Sequence, residues 1–178
     1  MTQPNINFQL EADDKLTPVM IYTLEALSWG QMVTKESMMA TRVLTSGTVP
    51  DYISLYDAQR MSVFGGKPAK PDHFEELHIP VPTIKAFHLM PPAEEPLDYD
   101  DSVPNRIMAP LKIYFGAYMC MALVRISNQA TVKKHLDIAK AQYLSIYDAK
   151  FCIPSTPQMK PIEAPMALVQ RDSVLAAI

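Results

Sequence analysis

Tyr52-Ile53-Ser54-Leu55-Tyr56-Asp57-Ala58-Gln59 recurs in this chain as Tyr143-Leu144-Ser145-Ile146-Tyr147-Asp148-Ala149-Lys150. Five of the eight positions are identical and the other three are conservative. Tyr52, Ser54, Tyr56 and Ala58 alternate with Ile53, Leu55 and Asp57, the period-two pattern of a strand with two unlike faces. Flanking matches lie at nearly the same offset. Pro18-Val19-Met20-Ile21-Tyr22 answers Pro110-Leu111-Lys112-Ile113-Tyr114 at 92 residues, against 91 for the first block. Ile84-Lys85-Ala86-Phe87 answers Val174-Leu175-Ala176-Ala177 at 90. Such drift is what small loop insertions and deletions produce. Residues 16–90 and 109–178 therefore read as tandem copies of one unit, joined by a Pro-rich acidic linker at 91–108.

The pattern inside each copy is β. Residues 19–33 are rich in Val, Ile, Tyr, Leu and Met without a helical cap, and read as one long strand or a bent pair. Ala40 to Thr45 alternates Thr41, Val43 and Thr45 and reads as a further strand. The strand from Tyr52 ends near Ser62, before a turn at Gly65-Gly66-Lys67-Pro68. Glu76–Ile79 and Thr83–Met90 form a last pair, linked through Pro80 and Pro82. Met166–Val169 and Ser173–Ile178 repeat that pair around a turn at Gln170-Arg171-Asp172. One segment departs from this plan. Thr131 to Tyr143 places Val132, Leu136, Ala139 and Tyr143 on one stripe of a helix.

Short strands with a tight turn before the last one predict a mainly β chain of two tandem small β-barrel-like units, with one short helix in the second. The ending Ala167-Leu168-Val169-Gln170-Arg171-Asp172-Ser173-Val174 resembles the closing strand–turn–strand of small Sm-like or SH3-like barrels. Pro50-Asp51-Tyr52-Ile53, Ala86-Phe87-His88-Leu89 before Pro91-Pro92, and Pro96-Leu97-Asp98-Tyr99-Asp100 are similar to an uncharacterised bacterial family of duplicated small β-domains. That resemblance implies a fold and brings no activity.

Composition narrows the function classes. The chain has 178 residues, 48% hydrophobic and 20% charged, which excludes collagen, a coiled coil and a disordered tail. Sixteen Lys and Arg against nineteen Asp and Glu give a net charge of −3, without the basic excess of a non-specific nucleic-acid binder. Cys120 and Cys152 lie among apolar neighbours and read as buried reduced thiols. No leader pattern and no run of about 18 apolar residues is present, so no membrane span is expected and the reading is cytoplasmic.

Chemistry-bearing motifs are sparse. Glu94, Glu95, Asp98, Asp100 and Asp101 put five carboxylates into eight residues, without the alternation and glycine of a calcium loop. They read as a stiff, solvated connector, with Leu97 and Tyr99 packing onto one of the units. His73, His78, His88 and His135 lack zinc-ligand spacing, although His78 and His88 are placed on adjacent final strands. No nucleophile elbow, phosphate loop or dinucleotide fingerprint occurs, so no catalytic residue, metal site or cofactor is assigned. Asp57 and Asp148, repeated within a repeated strand, read as structural. Tyr52, Tyr56, Tyr143 and Tyr147 read as core or interface groups rather than base-stacking platforms, because no basic groove accompanies them.

The expectation is a non-enzymatic protein-binding scaffold or adaptor that binds a protein partner or itself, with twelve Met available for adaptable apolar contacts. The alternative is an Sm-like RNA- or nucleotide-binding regulatory module. The binding candidates are Leu136 and Tyr143 on the helical stripe and Leu97 and Tyr99 in the linker, where the copies differ or meet.

Overall fold

In the computed structural model, which describes residues 10–64 and 67–177, the chain is mainly β with one short helix. The first half contains β1 (Asp14–Tyr22), β2 (Ala26–Lys35), β3 (Tyr52–Phe64), β4 (Lys67–Pro68), β5 (Asp72–Pro80) and β6 (Ala86–Leu89). The second contains β7 (Arg106–Phe115), β8 (Tyr118–Ser127), α1 (Val132–Ile138), β9 (Tyr143–Cys152), β10 (Ile162–Gln170) and β11 (Val174–Ala177). All pairings are antiparallel.

One hydrogen-bonded path runs through both halves. Its order is β11-β7-β8-β9-β10, then β6-β1-β2-β3, with β5 and β4 on the far side of β3. The halves join where Leu168 and Val169 pair with Phe87 and Ala86. The sheet is thus a single open one, not two separately closed rings of strands. Either side of the junction the order is the same, since β6-β1-β2-β3-β5 has the sequence of β11-β7-β8-β9-β10.

The pairing registers also correspond. Tyr56 faces Glu76 as Tyr147 faces Met166, and Ser28 faces Arg60 as Cys120 faces Phe151. Both halves shift register at one point, between Trp29 and Gln31 in β2 and between Met121 and Leu123 in β8. Opposite those shifts stand Asp57 and Asp148, with φ of +47° and +50°. Aspartate is among the few side chains that tolerate this left-handed region, so the repeated residue makes the repeated bulge. The ladder aligns Ala86–Leu89 with Val174–Ala177, an offset of 88 instead of 90. The reason is a 3-10 turn at Val81–Thr83 before β6, where only residues 171–173 precede β11.

Two cores lie on opposite faces of the shared strands. Along β1, Val19 and Ile21 enter the first core while Met20 and Tyr22 enter the second. Along β10, Met166 and Leu168 enter the first while Ala167 and Val169 enter the second. Strands buried on both faces explain the continuous apolar runs there. Fully burying a side chain such as Phe87 or Ile113 contributes about 2–3 kcal/mol each. Strand β8 alternates buried and more exposed residues.

Several expectations change. Residues 19–33 form the bent pair, β1 and β2, with a turn at residues 23–25. Ala40–Arg42 is a 3-10 turn and not a strand, because Glu95 ties down its amides while Ala40 and Leu44 enter the first core. The helix ends at Ile138, and Tyr143 opens β9 instead of completing the helical stripe. Gly65, Gly66 and Ile178 lie outside the described residues. Among the described residues no helix is long and apolar enough to cross a membrane.

Candidate functional site

The residues that tie the two halves together are polar and specific. Beside the β10·β6 ladder, Gln170 N donates to Lys85 O at 2.8 Å, and Lys85 Nζ reaches Asp172 at 2.8 Å. Tyr143, 2% exposed, points its hydroxyl at the carbonyls of Val81 and Ile84, at 3.1 and 3.2 Å. Burial pushes the Tyr143 phenol up to about 12, with Asp172 adding to the rise. A methyl group on Gly116, whose φ is +53°, would fall 2.4 Å from the Leu24 carbonyl oxygen, so only glycine allows the β1–β2 turn to sit there.

Beneath the seam lies a buried aromatic cluster. Tyr22 stacks on Phe151 at 4.6 Å and His88 stacks on Phe151 at 5.1 Å between centroids. His88 is 0% exposed; its Nδ1–H donates to Leu89 O at 2.6 Å, and its Nε2 accepts from the Tyr22 hydroxyl at 3.0 Å. Desolvation pulls the imidazole down to about 4, partly opposed by the bond to Leu89. His78 is exposed on β5 and bonds Ser54 at 2.8 Å. The two histidines do not meet, because β6 pairs with β1 and β10 and not with β5.

The acidic segment between the halves is docked through Glu95 and Asp98, while Glu94, Asp100 and Asp101 stay exposed. Glu95 accepts from the amides of Ala40 and Thr41 at 2.8 and 3.1 Å and from the Thr41 hydroxyl at 2.8 Å. Asp98 accepts from Ser145 and from the Tyr147 hydroxyl at 2.6 Å. Burial raises the Tyr147 phenol, and the Asp98 carboxylate adds to the rise. Tyr99 meets Tyr147 edge-on at 4.8 Å, with the Arg125 guanidinium 4.6 Å from its ring centre. Leu97 stays 38% exposed beside Met166.

The four binding candidates therefore fall into two places. Leu97 and Tyr99 lie on the docked segment near β9 and β10. Leu136 is half-buried in α1 with Val132 and Ala139 against the second core, and its carbonyl accepts from Arg171 at 2.6 Å. Tyr143 is an inter-half fastener. Tyr147 is buried, Tyr56 is half-buried, and Tyr52 is 56% exposed, so only part of the tyrosine set packs inside. Cys120 is buried and Cys152 half-buried, both free, with burial pushing the Cys120 thiol up to about 12.

Sequence reasoning missed Lys85 and took Glu95 and Asp98 for solvated groups, because their partners lie far along the chain. It also missed the outer edges. Among the described residues, the side of β5 away from β3 and the side of β11 away from β7 have no strand partner. Comparison with family models, curated proteins and solved structures finds no match for this chain.

Proposed function

We propose that this chain is a non-enzymatic, protein-binding scaffold that gains partners by adding strands at its sheet edges. The observation that carries this reading is the β10·β6 junction, one edge of each half paired with the other. Among the described residues the same two edges recur without a strand partner, as β5 beside β3 and as β11. If the halves are copies of one unit, β5 of one molecule fits β11 of another in the register of that junction. His78 then takes the place of Leu168, and Ile79 that of Val169.

The two edges are unlike. Val174–Ala177 has neither charge nor proline and is receptive. The β5 edge carries Glu75, Glu76 and His78, and Pro80 stands where Gln170 donates its N–H. Charge and proline blunt an edge, so association there is weaker than the internal junction and reversible. Sedimentation of the full chain at rising concentration tests the reading. A mass that grows with concentration supports it. A strict monomer that also captures no extended peptide on β11 refutes it. A salt-dependent shift with single-stranded RNA, and no self-association, would favour the Sm-like alternative.

A further inference from the structure

We propose that the open end of the first core binds a small organic oxyanion, a carboxylate or phosphate ester carried on an apolar body. The site is a cavity of about 530 Å³ between the β1–β2 turn and the β5–β6 connection. It shares Leu77, His78 and Ile79 with the β5 edge described above, but it rests on Arg60 and not on edge-pairing.

The two halves treat this position differently. In the second half the ladder pair Cys120·Phe151 fills it, with both side chains buried and Phe151 stacked on Tyr22 and His88. At the same register the first half has Ser28·Arg60. The fold is satisfied by an apolar pair there, so the charge answers to something else. Arg60 is half-buried and lines the cavity. Among the described residues it has no carboxylate within ion-pair distance, and Nη1 makes a 3.4 Å contact to Ser62 Oγ. A guanidinium withdrawn from water without an anion is costly, and a carboxylate or phosphate matches its fork of donors.

The rest of the lining divides into a head and a body. Lys85 stands on the wall with its side chain 15% exposed, held in place by Asp172. Ser28, 1% exposed, adds a hydroxyl, while the Thr83 hydroxyl on the same wall donates to Pro80 O at 2.7 Å. Leu24, Leu77, Ile79 and Pro82 supply the apolar surface, and Glu25 is the one carboxylate among the described lining residues. Positive groups beside an apolar wall suit a ligand with one anionic end. A neighbouring cavity of about 320 Å³ shares Leu24 and Lys85. Ser173 lines it with a buried hydroxyl that lacks a partner, a second polar group free to meet a longer ligand.

Calorimetric titration of the full chain with benzoate, phenyl phosphate and inorganic phosphate tests the site. At least one phenyl compound is expected to bind at one site per chain, and inorganic phosphate at least about tenfold more weakly for want of a body. The better phenyl ligand tells carboxylate from phosphate ester. Arg60→Met, which keeps the stem and removes the charge, should weaken binding by about tenfold or more at unchanged melting temperature. Leu24→Glu, at an exposed turn position, should do the same through like charge and decides the matter if Arg60→Met does not fold. Arg60→Phe, the residue of the second half, should abolish binding and raise the melting temperature. No saturable binding of either phenyl compound by about 10 mM, or undiminished binding by Arg60→Met or Leu24→Glu, overturns the proposal. Inorganic phosphate binding as tightly as phenyl phosphate would overturn the apolar-body assignment.

Discussion

Asp57 and Asp148 occupy the same bulge in the two halves, each in the left-handed backbone region. Each is skipped in the pairing of its strand with the next one along, and each faces the register shift on the other side. Both are exposed, so the backbone conformation, more than any buried contact, accounts for the aspartate.

Substitutions at the bulge should therefore follow backbone cost. Replacing Asp148 by Val, whose branched Cβ disfavours positive φ, is expected to lower stability by about 1–2 kcal/mol. Asp148→Gly should be neutral or slightly stabilising. Asp57 should give the same ranking, and urea unfolding of the four variants checks it. Equal effects of Val and Gly would show that the carboxylate, not the φ angle, matters.

His88 sets an acid limit on stability. Its folded value lies near 4, below the ordinary 6.5, so the unfolded chain holds more protons between those limits. Stability is then full above about pH 6.5 and falls as pH drops towards 4, by roughly 3 kcal/mol in total. Urea midpoints across that range measure the slope. In His88→Leu the slope should flatten, although loss of the Tyr22 partner lowers overall stability.

The docked acidic segment should matter to folding. Asp98→Ala leaves the Ser145 and Tyr147 hydroxyls without their acceptor and is expected to cost about 1–3 kcal/mol. Asp101→Ala, exposed nearby, should change stability by less than about 0.5 kcal/mol. Thermal melts of the pair distinguish docking from a solvated connector, for which both would be silent.

Leu136→Glu probes the helix. The Leu136 side chain packs on the second core, so placing a carboxylate there should destabilise by about 1–3 kcal/mol. Ile138, 66% exposed on the same helix, should accept Glu without loss. Unchanged melting of Leu136→Glu with altered association would make the stripe a partner surface.

The strands were legible because period-two alternation reports a face against a core, and the repeated block placed β3 and β9 correctly. Residues 40–45 alternate too, but that pattern carries no information about Glu95, which reaches the turn from more than fifty residues away. A separation of 47 and 49 residues likewise hid the docking of Asp98 on Ser145 and Tyr147. Tyr143 fitted both a helical stripe and a strand start, and tertiary hydrogen bonds to Val81 and Ile84 decide for the strand. The cavity residue was nearer to hand. Extending the repeated block by one residue sets Arg60 against Phe151, a charge against an aromatic, which marks where the halves diverge.

Edge-to-edge strand addition is tested most directly by amide hydrogen exchange on the full chain, dilute and concentrated. The expected result is added protection at concentration along β11 and at residues 77–79 of β5, with the β10·β6 junction already protected in dilute solution. Protection that gathers elsewhere on the surface, or a mass increase with these two edges unchanged, would contradict it.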